Sequence, residues 1–186
     1  MRLPLLLLGC CALIGCDQGY NFDRSVSETQ DKFAARVRPV DTSKPPPELP
    51  LPKNPPKQID IQKVQSESAR ITALQVLDVV KGTGPILEPG KYASVHYVGA
   101  LPDGYVFDTT YDNEDAQPFT FLFDPAQPRV IKGWIDGMRG MRVGGHRKLT
   151  IPAAMAYGPN PPPGSPIPPN AALVFDVILM FVGDTE

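Results

Sequence analysis

The chain has 186 residues, of which 42% are hydrophobic, and its 18 basic and 20 acidic side chains give a formal net charge of −2. This length predicts one folded domain with extensions, and the balanced charge argues against a nucleic-acid-binding surface, which needs clustered basic residues. The 23 prolines are more than twice the average share and occur in clusters, so they mark particular segments rather than the whole chain.

The first sixteen residues, MRLPLLLLGCCALIGC, are typical of a bacterial export signal, with a positive charge at Arg2 and an apolar run behind it. The run is too short to cross a bilayer as a permanent helix. Residues 13–16 resemble the lipobox of bacterial lipoproteins, in which cleavage occurs before a cysteine that carries diacylglycerol. Residues 7–10 fit the lipobox loosely but would leave too short an apolar core before Cys10. We therefore predict a signal peptide over residues 1–15 and lipidation of Cys16, with an ordinary signal peptide as the alternative.

Lipidation of Cys16 leaves no free thiol in the mature chain, because Cys10 and Cys11 depart with the signal. Such a chain forms no unwanted disulfide in an oxidising compartment. We expect a lipid-anchored protein on the periplasmic side of a bacterial membrane. In enterobacterial lipoproteins an aspartate after the lipidated cysteine favours the inner membrane, and Asp17 occupies that position.

A polar segment comes next and passes into a proline-rich run, PVDTSKPPPELPLPKNPP, at residues 39–56. Proline fixes φ and has no N–H, so the run favours polyproline II over helix or sheet. We predict a tether over residues 16–68 that holds a folded domain clear of the lipid, or else a docking motif for a partner groove. Residues 58–72 are compatible with either a short helix or a strand.

From residue 69 onward, short strand-like runs alternate with turn signals. The predicted strands are residues 73–80, 93–99, 106–108, 119–123, 146–151 and 173–182, and the predicted helix is residues 131–138. Short strands at such close spacing predict a mainly antiparallel sheet. The last strand is apolar on both faces apart from Asp176, so we expect it at the centre of the sheet.

Several kinds of enzyme site are missing from this sequence. The two histidines, His96 and His146, have no cysteine to pair with, and we predict a surface position for each rather than a metal site. The acidic run at residues 112–115 lacks the spacing of a calcium loop, and the glycines do not form a phosphate-binding pattern. We therefore expect neither a metal nor a cofactor.

The unusual feature is a set of aromatic residues in strand-like sequence: Tyr97, Phe107, Phe119, Phe121, Trp134, Tyr157 and Phe175. Taken singly, each is most simply a core residue. Their surroundings, VHYVGALPDGYVFDTT, PFTFLF, VIKGWIDGMRGMRVGGHRKLTIPAAMAYG and IPPNAALVFDVIL, occur in this order. Together these segments closely resemble the FKBP-type peptidyl-prolyl isomerase family, over about residues 73–182.

The resemblance implies an α+β domain at residues 69–186, with a five- or six-stranded antiparallel sheet wrapped around one short α-helix. It implies catalytic roles for pocket residues Tyr97, Phe107, Asp108, Trp134, Tyr157 and Phe175. It implies substrate-binding roles for Phe119, Val130, Ile131 and Ile167. In this arrangement Trp134 is the pocket floor, and the Ile131 N–H and the Tyr157 hydroxyl donate to substrate carbonyls.

The implied activity is rotation about X-Pro bonds of exported proteins, with proline-containing polypeptides as partners and macrolides as possible inhibitors. The amide must lose its resonance against a barrier of about 18–20 kcal/mol. A dry aromatic pocket disfavours the polar planar amide relative to the twisted one, without a nucleophile or metal. The alternatives are a non-catalytic chaperone or scaffold that binds proline segments and, on the lipid anchor alone, a surface factor that binds host matrix.

The sequence departs from the family in the loop at residues 157–167, which is about one residue longer than usual. Pro161, Pro162 and Pro163 stand near the place where many members have a histidine, and Met155 replaces a frequent tyrosine. The chain also lacks the long charged helical arm of the dimeric members, so we expect a monomer.

Overall fold

The computed structural model describes residue 49, residues 58–111 and residues 117–184. The predicted signal peptide, Cys16, the acidic run at residues 112–115 and nearly all of the proline-rich run lie outside the described residues. Within the described part of the chain, no helix is long and apolar enough to cross a membrane. The same residues contain no group of three or more side chains that would hold a metal ion.

Six strands and two short α-helices make up the described domain. In chain order they are α1 (Ile61–Ser68), β1 (Gln75–Val80), β2 (Lys91–Ala100), β3 (Val106–Thr109), β4 (Phe119–Phe123), α2 (Lys132–Met138), β5 (His146–Ile151) and β6 (Leu173–Gly183), with a 3-10 turn at Ala153–Met155. The predicted α+β class and antiparallel sheet are confirmed, with one helix more than expected. The added helix, α1, begins where the Asp60 side chain accepts the N–H of Lys63 and so caps it.

All strand pairs are antiparallel, in the order β1-β5-β6-β2-β3, and β4 also pairs with β2. The long strand β2 pairs with β4 along its first half and with β3 along its second. Strand β6 lies between β5 and β2, at the centre of the sheet, as its apolar sequence predicted.

Helix α2 lies very close to the inner face of the sheet because two of its residues are glycines. A Cβ built on Gly133 would lie 2.3 Å from Ile151 Cγ2, and one on Gly137 would lie 2.8 Å from Leu149 Cδ2. The two positions are four residues apart and therefore share one face of the helix. Because this face carries no side chains at the two glycines, the backbone of α2 packs directly against the side chains of β5.

Arg147 of β5 ties the C-terminal end of α2 to the sheet. Its Nη1 donates to the carbonyl oxygens of Gly137, at 2.8 Å, and Arg139, at 3.2 Å. Its Nε donates to Asp78 Oδ1 on β1 at 2.6 Å. The last carbonyls of a helix have no partner within the helix, and a buried guanidinium needs a carboxylate, so one side chain satisfies both requirements.

Helix α1 packs against the end of the core although it precedes the expected domain start at residue 69. Val64 is fully buried in the main core cluster. The buried Ser68 Oγ accepts the N–H of Ala172 at 2.8 Å, and Asp103 Oδ2 accepts the N–H of Asp60 at 3.1 Å. Core packing therefore includes residues that the sequence analysis assigned to the tether.

The predicted surface position of the two histidines is wrong. His96 is only 3% exposed, and its Nδ1 lies 3.0 Å from Thr110 Oγ1. His146 is largely buried, with Nε2 3.0 Å from Asp176 Oδ1. Each ring is buried against a polar partner supplied by a distant part of the chain. Burial lowers the pKa of His96 from its ordinary value of 6.5.

The lowered pKa of His96 predicts a pH-dependent stability. Between pH 6.5 and the lower folded-state pKa, the unfolded chain binds a proton that the folded chain does not, so the free energy of unfolding falls as the pH falls. We expect His96→Asn to lose this part of the decline. Denaturant unfolding of both proteins from pH 7.5 downward measures it, and the carboxylates common to both cancel in the difference. Parallel curves for the two proteins would contradict the prediction.

Candidate active site

Trp134 is the centre of a cluster of aromatic rings on the inner face of the sheet, where the sequence predicts the floor of a substrate pocket. It lies in the first turn of α2 and is 4% exposed. Its ring centroid is 5.2 Å from those of Tyr97 and Phe175, and both rings meet it edge to face. Phe121 packs against it at 5.7 Å. Edge-to-face contacts of this kind are favourable because the ring faces are negative and the edges positive.

Two further rings border the cluster from β3 and β4, which pair with the same edge of β2. Phe119 of β4 lies 6.1 Å from Tyr97 and 6.2 Å from Trp134. Phe107 of β3 meets Phe175 edge to face at 5.6 Å. Phe119 is 40% exposed whereas Phe121, on the same face of β4, is 5% exposed. Phe119 therefore lies at the exposed end of the ring cluster and Phe121 at its buried end, beside Trp134.

Gly99 of β2 is a pocket residue that the sequence analysis missed. A Cβ at this position would lie 2.8 Å from the rings of both Phe107 and Phe175. The missing side chain thus lets these two rings meet over the strand. A glycine inside a strand pattern is a known sign of such close approach, so the signal was present in the sequence.

A polar edge joins the aromatic wall. The Tyr97 hydroxyl donates to Asp108 Oδ2 at 2.5 Å. Burial, above all, and then the hydrogen bond and charge of Asp108 raise the pKa of Tyr97 well above its ordinary value. Burial and the Asp108 charge also raise the pKa of Tyr157. Both phenols therefore keep their protons at neutral pH, and the Tyr157 hydroxyl donates to no other described residue.

Three predicted wall residues lie against the same core. Val130 and Ile131 are partly buried against it, and Ile167 is almost fully buried. Ile131 immediately precedes α2, and its carbonyl accepts the N–H of Trp134 at 2.9 Å. The N–H groups at a helix start have no partner within the helix, which leaves the Ile131 N–H to groups outside α2.

The proline-rich loop is closed at its base. The N–H of Asn170 donates to the carbonyl of Gly158 at 2.7 Å, and the N–H of Ser165 donates to that of Pro162 at 3.1 Å. Tyr157 stands at the start of this loop, and Ile167 lies near its end. The loop thus connects Tyr157 to the buried Ile167, and backbone hydrogen bonds hold its shape.

A model of the family described as FKBP-type peptidyl-prolyl cis-trans isomerase matches residues 84–180. The chain belongs to this family. It is 44% identical over 109 residues to an FK506-binding protein of Neisseria meningitidis serogroup B, covering 59% of this chain and 95% of that protein. A crystal structure of a peptidyl-prolyl cis-trans isomerase from Pseudomonas syringae pv. tomato aligns with a TM-score of 0.54 at 30% identity, over 66% of this chain and 92% of that one.

Other relatives are much longer. FK506-binding protein 4 of Dictyostelium discoideum is 43% identical over 123 residues, which is 64% of this chain and 32% of that protein. The chain spans about a third or less of the length of such relatives. The family model covers residues 84–180 of this chain, and within that range direct ring contacts join all the predicted pocket rings except Tyr157. The individual catalytic roles stay predictions.

The close packing at Gly99 predicts that Gly99→Ala disturbs the FKBP pocket. The new methyl group forces Phe107 or Phe175 to move, and overpacking of this kind costs about 1–3 kcal/mol of stability. Phe175 contacts Trp134, the only tryptophan, so its fluorescence should change as well. Denaturant unfolding followed by this fluorescence measures both effects.

Gly84→Ala is the matched control for this experiment. Its Cβ would lie 2.8 Å from Val143 Cβ, so the steric insertion is similar but does not involve a pocket ring. It should lower stability while leaving the native Trp134 emission unchanged. An unchanged emission spectrum in Gly99→Ala would show that the rings do not depend on this glycine.

Proposed function

We propose that this chain catalyses cis–trans isomerisation of X-Pro peptide bonds. The observation that carries the proposal is the Trp134-floored pocket with the Tyr97–Asp108 pair at its edge. Membership of the FKBP family supports it. Isomerisation breaks no covalent bond, so binding and environment are the means by which a protein accelerates it.

The pocket supplies an environment that suits the twisted amide better than the planar one. A planar amide is more polar because resonance separates charge, and that resonance is lost as the bond rotates. Aromatic rings solvate the polar ground state poorly, whereas they pack well against the proline ring. An environment that favours the transition state over the ground state raises the rate.

Two hydrogen-bond donors would hold the substrate backbone on either side of the rotating bond. Tyr157 keeps its proton because its pKa is raised, and the Ile131 N–H lies ahead of the first turn of α2. Holding the flanking carbonyls leaves the proline amide to rotate between fixed ends. Asp108 accepts a hydrogen bond from the Tyr97 hydroxyl and so orients that ring, a role that requires no proton transfer.

We further propose that the enzyme works on exported proteins while lipid-anchored at Cys16 on the periplasmic side of the membrane. The lipobox-like residues 13–16 and the absence of other cysteines after them support this. Uncatalysed X-Pro isomerisation takes tens of seconds or longer, slow enough to limit folding of a newly exported chain.

An isomerisation assay on an X-Pro test peptide checks the catalytic proposal. Wild type should accelerate the relaxation, and Tyr157→Phe should lower kcat/KM by about three- to tenfold through the loss of one hydrogen bond. Trp134→Ala should lower it by more than about tenfold because the proline ring loses its main apolar contact. The exposed Lys132→Ala, on the same helix, is the control and should retain full activity.

The assay distinguishes catalysis from simple binding. A wild-type chain that binds the peptide without accelerating its relaxation is a binding module and not an isomerase. Thermal unfolding curves should first show that wild type and Trp134→Ala are both folded. Equal activity in the two proteins would then show that the mechanism does not use the aromatic pocket.

The anchoring proposal is checked by mass spectrometry of the protein recovered from bacterial membranes. The mature N-terminus should be Cys16 carrying diacylglycerol, and Cys16→Ser should abolish both processing and membrane attachment. Cys10→Ser is the matched control and should be processed normally. A mature N-terminus at any other residue refutes the assignment.

A further inference from the structure

A second apolar cluster lies on the outer face of the sheet, behind the prolyl pocket. Its buried members are Leu49, Val98 and Ile178, and the partly buried Val106, Tyr111 and Met180 pack against them. Val98 directly follows the pocket residue Tyr97 in β2, and successive strand residues face opposite sides of a sheet. The cluster and the pocket thus use opposite faces of the same strands.

Leu49 belongs to no element of the sheet, yet it is 5% exposed. It comes from the proline-rich run, and the side chains clustered with it come from β2, β3 and β6 and from Tyr111. The Leu49 backbone also forms a hydrogen bond with the Tyr111 hydroxyl. Partial burial, the larger effect, raises the pKa of Tyr111 to about 12, so this phenol is protonated at the contact.

The groove around Leu49 is held in place by the pocket strand. The Tyr111 ring lies 5.0 Å from that of His96. The preceding residue, Thr110, accepts the backbone N–H of Tyr97 through Oγ1 at 3.0 Å and contacts His96 Nδ1 at the same distance. The aromatic wall that contacts Leu49 is therefore fixed by hydrogen bonds to β2.

The sequence around Leu49 suits recognition of an extended chain. Pro50 follows it, and a residue before proline is biased away from helix toward extended conformations. Such a backbone keeps its N–H for an external acceptor such as the Tyr111 hydroxyl. A chain that is already stiff loses little entropy on binding, which is why aromatic-lined grooves bind proline-rich segments.

We propose that this outer groove is a second binding surface that recognises a leucine on a proline-flanked, extended segment, and that the chain fills it with its own Leu49. The groove is distinct from the prolyl pocket and does not depend on catalysis. A ligand in the same chain has a high effective concentration, so other leucine-bearing segments enter only when Leu49 leaves.

Methyl NMR on the full chain tests the contact directly. Nuclear Overhauser effects should connect the Leu49 methyl groups with those of Val98 and Ile178. Leu49→Ala should shift the Val98 and Ile178 resonances, whereas Leu51→Ala, two residues further along the same run, should leave them in place. Absence of the Overhauser effects, or equal shifts in both variants, overturns the assignment.

A peptide added in trans tests recognition and identifies the surface. The peptide PPPELPLPKNPP, residues 45–56, is titrated into full-length Leu49→Ala, in which the groove is vacant. It should shift Val98, Ile178 and Tyr111, and the same peptide with alanine at the Leu49 position should bind at least about tenfold more weakly. Shifts at Trp134 and Phe119 instead, or no shifts, overturn the proposal. Isomerisation of the X-Pro test peptide is measured separately, so the outcome of this titration does not decide the catalytic proposal.

Discussion

The pocket depends on the close contact between α2 and β5. Gly133 and Gly137 bring the helix backbone onto the sheet, because a Cβ at either position would collide with Ile151 or Leu149. Trp134 lies between these glycines, so the helix-to-sheet distance sets the height of the pocket floor. Every ring that meets Trp134 comes from a strand whose position relative to α2 follows from that distance. The Tyr97–Asp108 hydrogen bond orients the Tyr97 ring, but packing determines the positions of the rings.

The strands were predictable because their patterns are local. Phe119, Phe121 and Phe123 alternate along β4, and β6 is apolar over a length that only a covered central strand explains. The site was predictable only in part. Composition and spacing indicated core aromatics, and it was the ordered likeness to the FKBP family that indicated a pocket. The structure then supplied the geometry, in which Trp134 contacts four other rings.

The features that escaped prediction are contacts between distant parts of the chain. Helix α1 buries one apolar side chain, Val64, too few to make an amphipathic pattern, and its Ser68 binds a residue 104 positions away. The sequence around His96 gives no sign of burial, because the partner of this side chain, Thr110, is brought to it only by the folded sheet. Leu49 lies among prolines that indicate a spacer. Local periodicity carries no information on such pairings, since they arise only when the sheet closes.

The outer groove bears on whether the proline-rich run of this chain would bind to the chain's own prolyl pocket. Eight prolines at residues 39–56 belong to the same chain as the proposed prolyl pocket, and a linked ligand is present at an effective concentration in the millimolar range for short linkers. Tether prolines that entered the proposed pocket would compete with substrate there. Binding of Leu49 on the opposite face would hold the run away from the pocket. The contact is with Val98 of β2, the strand that also carries Tyr97. Taken together, the two proposals give the two faces of β2 different roles: one would bind foreign proline segments, and the other would hold the chain's own Leu49.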